Sequence, residues 1–278
     1  MSMNTLFQGF LGRSRSAGGV TFSAGFGFLV ISVYIVVAVF APLIAPYGEA
    51  QIVGSQFEPW SAAFPLGTDN LGRDVLSRLI FGARNTIGIA LAATLVAFGI
   101  GTTLGLLAAT RGGLTDRLLS TFVNILMAIP LLIFALLLLA LFGTSISSLI
   151  VIVALLESTR VFRVVRAVAM NVAVCDYVEA ARLRGEGNIW VMVFEILPNL
   201  RAALLAEMGL RFCFIFLLIS GLSFLGLGIQ PPAADWGSMV KDYSALIAYG
   251  DITPLIPAMA IALLSVSVNL IVDWLLRT

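Results

Sequence analysis

Residues 118–156 contain no Asp, Glu, Lys or Arg, and a water-soluble fold has nowhere to hide so long an uncharged run. A helix needs about 20 apolar residues to cross the roughly 30 Å hydrocarbon core of a bilayer. This run is too long for one span, so it is predicted to form two, with a short turn where Gly143, Thr144, Ser145, Ser147 and Ser148 interrupt it. The same reading along the chain predicts spans at 24–45, 86–110, 118–141, 146–166, 201–226 and 254–276. Apolar residues make up 60% of the chain and charged residues 11%, against roughly 25% charged in soluble domains. The predicted fold class is therefore all-α integral membrane, with six transmembrane helices. One transmembrane domain covers 23–278, after a cytoplasmic N-terminal segment, 1–22. The first apolar run exceeds the roughly 7–15-residue core of a signal peptide and lacks a clear cleavage site, so it is expected to stay as an anchor.

What is missing excludes whole classes of chemistry. The chain has no histidine, which removes His-based metal sites and Ser-His or Cys-His dyads. Its single lysine, Lys241, is followed by Asp242, so there is no Gly-Lys-Ser/Thr phosphate loop. Cys175 and Cys213 stand far apart, giving neither a disulfide framework nor a thiolate metal site. A net charge of +1 gives no reason to expect a nucleic-acid partner. The expectation is a non-enzyme with no catalytic residue, metal or cofactor of its own, any ATP energy arriving through a partner. An ion-driven secondary transporter would be expected to show an internal repeat, which this sequence lacks. An intramembrane enzyme would need paired catalytic groups in the spans. A scaffold without flux is left to a transport assay.

Basic residues set the orientation. With the N-terminus inside, the cytoplasmic face and adjoining helix ends carry Arg13, Arg15, Arg111, Arg117, Arg160, Arg163, Arg166, Arg182, Arg184, Arg201 and Arg277, against Arg73, Arg78, Arg84 and Lys241 outside. Both termini are therefore predicted to be cytoplasmic. Three loops are too long for simple hairpins, at about 46–85 and 227–253 outside and 167–200 inside, and long loops are usually functional.

The inside loop reads CDYVEAARLRGEGNIWVMVFEILPNLRAAL. Asp176 and Glu179 have the spacing of a capping box. Ala180, Ala181, Arg182 and Leu183 favour helix, Gly185 and Gly187 end it, and a second helix over about 188–196 precedes Leu197-Pro198. The small side chains at 180 and 181 allow another surface to come close. Glu179-Ala180-Ala181, Gly185 and Leu197-Pro198 resemble the EAA loop of binding-protein-dependent ABC importer permeases. Glu195 stands where that family often has Ile. The resemblance extends to FPLGTDNLGRDVLSRLIFGAR, residues 64–84, and to SGLSFLGLGIQPPAADWGSMV, residues 220–240, both similar to the second permease subunit of dipeptide, oligopeptide and nickel importers.

The resemblance implies that Asp176, Glu179, Ala180, Ala181, Gly185, Leu197 and Pro198 belong to a coupling helix that docks on an ATPase subunit. It implies a pore subunit of an ATP-driven importer in the cytoplasmic membrane of a bacterium or archaeon, working by alternating access. Its partners would be a second homologous permease, two ATP-binding cassette ATPases holding ATP and Mg, and an extracytoplasmic binding protein. Di- or oligopeptides are the expected cargo. Nickel chelates, glutathione, opines and sugars occur in the same importer class, and a permease homodimer stays open beside a heterodimer.

Three other features carry expectations. Within 64–84, Gly67, Asp69, Gly72 and Asp74 read as turn residues. Val75, Leu76, Leu79 and Ile80, offset by Arg73, Arg78 and Arg84, read as a short interfacial helix. Arg73, Asp74 and Arg78 then serve either as a brace or as an outer surface for the delivering protein. Trp236, in a segment whose glycines and prolines forbid regular helix, is expected to anchor at the membrane interface. Glu157 is costly in lipid and has Arg160 one turn on. The two either line the pore or form a solvated pair on a helix that has left the membrane. Glu207 and Arg211 make a similar pair, and Gly99, Gly101 and Gly105 with Ala92 and Ala93 offer small faces for helix packing.

Overall fold

A computed structural model describes residues 22–277, and the expected N-terminal segment with Arg13 and Arg15 lies outside that range. Among the described residues every element is helical, the only strand-like pairings being two isolated bridges in the 46–74 segment, Ile52 with Arg73 and Thr68 with Asp74. The helices of eight residues or more are α1 (Phe22–Val39), α2 (Val75–Arg111), α3 (Gly113–Ala128), α4 (Leu131–Phe142), α5 (Ile146–Ala173), α6 (Asp176–Leu183), α7 (Arg201–Phe224), α8 (Trp236–Tyr243) and α9 (Leu255–Arg277).

Among the described residues, four helical runs are long and apolar enough to cross a bilayer: Phe22–Val39, Val75–Arg111, Asn188–Phe224 and Leu255–Leu276. A fifth arises if α3 and α4, bent by 90° from one another, count as one span. The expected single span over 118–141 is thus broken, and the cause is Pro130. It has no N–H to donate and forces the preceding Ile129 into extended backbone (φ −88°, ψ 131°). The remaining long helix, α5, has the length for a span but carries Glu157, Arg160, Arg163 and Arg166.

A second correction concerns α2. Residues 75–84, expected as a separate interfacial helix, are its first turns and run without a break to Arg111. Asp74 starts it: its Oδ2 accepts from the Ser77 backbone N–H at 2.8 Å and from Ser77 Oγ at 2.6 Å, satisfying one of the N–H groups left open at the buried start of the helix.

α2 and α5 form the central pair. Their contact uses small residues, as expected where no hydrophobic drive separates helix from lipid. Ala90, Ala93 and Ala97 are fully buried. A Cβ placed on Gly101 would sit 2.6 Å from Val161 Cβ and 2.7 Å from the Ser158 carbonyl. Gly105 meets Val165 in the same way, whereas Gly99 points into open space and takes no part. α1 lies on α9 through Gly27, whose Cβ would be 2.8 Å from the Ser267 carbonyl.

The segments 46–74 and 225–254 share one end of the bundle, and residues 174–200 occupy the other. The first end is tied by Trp236 of α8. Its ring is buried against Gly82, Tyr34 and Phe216, and its Nε1 donates to the Leu79 carbonyl at 2.9 Å. Trp236 is therefore a core residue and not an interfacial anchor, because the glycine at 82 opens a slot for it.

Candidate functional site

The 174–200 segment folds as helix, turn, helix. Its first helix, α6, begins one residue earlier in register than a capping box requires. Cys175 is the N-cap and makes no side-chain cap bond, so Asp176 and Glu179 lie within the first turn. Acidic residues in a first turn suit the positive end of the helix dipole without capping it. The far end closes at Gly185 (φ +87°). Its N–H donates to Arg182 O at 2.9 Å, and that of Glu186 to Ala181 O at 3.2 Å, the pairing of a Schellman turn. Glycine is needed here for its left-handed backbone and not for space, since a Cβ would meet nothing within 4 Å.

α6 has two faces. Val178 and Ala181 are fully buried on a small core with Val165, Ala169, Val191 and Leu200. Asp176, Tyr177, Glu179, Ala180 and Leu183 are exposed. Side-chain ties to the rest of the bundle are few: Arg182 Nη2 donates to the Thr110 carbonyl at 3.5 Å, and Arg184 pairs with Glu195 at 3.5 Å. Glu195, the departure from the family pattern, thus joins the end of α6 to the run leading into α7. That run is not uniform helix. It is wide-turned over Val191–Ile196 and tight over Leu197–Leu200, where Leu197 is half-buried and Pro198 exposed.

The charges that α5 and α7 turn toward each other form one network. Glu157 is 1% exposed, so its carboxylate is shielded from water, and α5 continues sixteen residues further to Ala173. Its Oε2 accepts from Arg211 Nη1 at 3.1 Å, across to α7, and Arg160 Nε lies 3.7 Å from Oε1. Arg211 also pairs with Glu207 at 2.7 Å, and its guanidinium lies 4.9 Å from the Phe214 ring centre. Two expected in-helix pairs are therefore one cross-helix cluster, and the link between them, Glu157 to Arg211, was not foreseen. Nor was the bidentate pair of Arg166 with Asp116 of α3, in which Arg166 Nη2 donates at 2.7 Å to Oδ2. Among the described residues, no group of three His, Cys, Asp or Glu is placed to hold a metal ion.

Arg73, Asp74 and Arg78 are 4%, 1% and 2% exposed and pack inward, as a brace would. Asp69 is the hub. Its Oδ2 lies 2.6 Å from Arg73 Nε and 3.3 Å from Arg78 Nε, and its Oδ1 accepts from the Leu71 and Arg73 backbones. Arg78 Nη1 reaches the Glu49 carbonyl at 3.2 Å. Glu49 Oε2 then accepts from Asn85 Nδ2 at 2.9 Å and from the Ala234 N–H at 3.0 Å. Asp235 accepts from Thr86 Oγ1 at 2.9 Å and caps α8 through the Ser238 N–H at 2.8 Å. Burial pushes its carboxyl above the usual range, partly offset by these hydrogen bonds.

With the geometry described, comparison with known proteins decides the family. The pattern of the binding-protein-dependent transport system inner membrane component matches residues 101–278. The chain belongs to that family. It is a multi-pass permease subunit of an ABC importer in the cytoplasmic membrane, and not an enzyme. Among this permease's relatives is the di/tripeptide transport system permease protein DppC of Pseudomonas aeruginosa, 34% identical over 90% of this chain and 84% of the relative. The peptide transport system permease protein SapC of Escherichia coli O6:H1 is 37% identical over 87% of this chain and 84% of its own. The dipeptide permease DppC of Alkalihalophilus pseudofirmus is 32% identical over 90% and 82%. A solved amino acid ABC transporter with histidines superposes with a TM-score of 0.50 at 21% identity, covering 72% of this chain and 92% of that one. This last likeness concerns the fold alone.

Proposed function

We propose that this permease forms half of the pore of an ATP-driven importer of di- or oligopeptides, with the 174–200 segment as its link to an ATPase. The peptide relatives, at 32–37% identity over most of the chain, support the cargo. The carrying observation for the link is the two-faced α6, with Val178 and Ala181 buried on the bundle and Glu179, Ala180 and Leu183 free to meet another protein.

In this reading α5 is the sixth span, its charges satisfied by α3 and α7 or turned toward the pore. Both termini and the 174–200 end are cytoplasmic, because the basic residues concentrate there. Asp176, Glu179, Ala180, Ala181, Gly185, Leu197 and Pro198 form the coupling element. The complex comprises a second homologous permease, two ATPases that bind ATP and Mg, and an extracytoplasmic binding protein. Closure of the ATPases moves α6. The mixed helical run 188–200 carries that motion into α7, and the network of Glu157, Arg160 and Arg211 lies on the path of the cargo.

The test is co-purification from mild detergent, with bound proteins identified by mass spectrometry. Wild type is expected to bring down an ATPase and a second permease. Gly185→Asp and Glu179→Lys are expected to lose the ATPase and keep the permease. Retention of the ATPase by both variants would sink the coupling role.

A further inference from the structure

A cavity of about 380 Å³ opens between α3, α5 and α7, lined by Met127, Arg160, Arg163, Glu207 and Arg211 among others. We propose that it receives the carboxylate of the transported peptide, with Arg163 as the receiving cation. The proposal rests on the importer reading.

The charges around the cavity are unequal. Glu207 is met by Arg211 at 2.7 Å, and Arg211 is also held by Glu157 at 3.1 Å. Arg160 lies 3.7 Å from Glu157, with its side chain 41% exposed. Arg163 has no carboxylate within ion-pair distance among the described residues, and its Nη1 points at Met127 Sδ, 3.8 Å away. Even with Glu157 counted, the lining is left with a positive charge.

A second cavity of about 440 Å³ adjoins the first and shares Arg163. It adds Ser120, Asn124 and Arg166, but Arg166 is already taken by Asp116. Arg163 thus stands between two cavities as the cation left to a visitor. It is exposed, and a cation facing acyl chains is expensive. The exposed face of α5 is apolar at Val151 and Leu155, cationic at Arg163 and apolar again at Ala167 and Met170, so the stretch around Arg163 suits a watered path or a partner permease.

A guanidinium cannot lose its proton in a protein, and its fork matches the two oxygens of a carboxylate. The cavity volume lies within the roughly 300–1,000 Å³ of small-ligand sites, and Met127 and Val164 supply apolar wall for a side chain. A lipid phosphate shares this chemistry, so the test separates the two sources.

The experiment uses the assembled importer, with its partner permease and ATPases, in nanodiscs containing phosphatidylglycerol and without the binding protein. Direct binding of radiolabelled dialanine and of dialanine carboxamide is measured. A parallel assay in proteoliposomes with the binding protein follows ATP-driven dialanine uptake. Dialanine is expected to bind at least about tenfold better than the carboxamide, the loss of one charge-assisted pair. Arg163→Gln should abolish that preference and cut uptake about tenfold, and Arg163→Lys should restore both to within about threefold. The proposal is overturned if Arg163→Gln assembles and binds both probes as wild type does. It is also overturned if that variant loses bound phosphatidylglycerol while dialanine binding is unchanged, since the site then holds lipid. Absence of ATP-driven uptake by wild type would count against the importer reading, whereas the binding preference still decides the site.

Discussion

The two ends of this permease are built on different principles. At the end formed by 46–74 and 225–254, side chains far apart in sequence lock the loops together. Glu49 holds Asn85 and Ala234, Thr86 holds Asp235, and Trp60 Nε1 donates to Thr253 at 3.2 Å. Asp69, Arg73 and Arg78 are buried within. At the end formed by 174–200, the buried Val178 and Ala181, one half-exposed ion pair and one long hydrogen bond join α6 and its C-terminal turn to their surroundings, and the chain changes helical pitch twice before α7. Buried polar groups linked to one another across the sequence fix one geometry, whereas sparse polar contacts allow movement as a unit. The proposed outer end is thus a frame, and the proposed cytoplasmic end is a lever with a free face.

The comparison breaks first at Trp236. Trp236→Ala empties a slot shared by Tyr34, Gly82 and Phe216, and large-to-small changes of this kind cost about 3–5 kcal/mol. Thermal unfolding of the purified subunit should show the loss, and a wild-type melting curve would refute the frame. Glu157→Ala, between the two ends, leaves Arg211 buried with half its partners and is expected to cost a similar 3–5 kcal/mol or slightly less. Arg160→Ala, at the exposed side of the same cluster, should stay within about 1 kcal/mol. Gly185→Val forces a β-branched residue to positive φ, at about 1–3 kcal/mol. Local hydrogen exchange at 176–186 should rise while the amides of 68–86 stay protected. The smallest effect belongs to Glu195→Gln, at most about 1 kcal/mol because the Arg184 side chain is 56% exposed. It should lower transport per ATP hydrolysed more than it lowers the melting temperature.

Burial also raises the Asp235 carboxyl above its unfolded value. The folded state therefore holds that proton more tightly, and its stability contribution is lost as pH rises through the raised value. Asp235→Asn should flatten the pH dependence of melting above the ordinary carboxylate range. An unchanged slope would assign the dependence elsewhere.

The charge-free runs made most of the helices legible, since nothing but lipid explains them. Other features were on the page and outweighed. Pro130 stands in the middle of an apolar run, where it marks the break between α3 and α4. Arg78 and Arg84 made the start of α2 look interfacial, because the sequence does not show that the 46–74 segment folds over Arg78. The link from Glu157 to Arg211 crosses 54 positions. Each residue has a partner at helical spacing, Arg160 for Glu157 and Glu207 for Arg211, which hides the link across helices. The 174–200 segment was readable in detail, including its Gly185 turn, because local backbone chemistry decides it. Its N-cap moved to Cys175 because the extended residue and the carboxylate need not coincide.

The most direct test of the account places a photo-crosslinking amino acid at Ala180, on the free face of α6, and at Leu71, exposed at the opposite end. Irradiated in membranes, position 180 is expected to capture an ATPase subunit, and position 71 is expected to capture none. Equal ATPase capture at both positions, or capture at 71 alone, would contradict both the coupling role of the 174–200 segment and the orientation assigned to the chain.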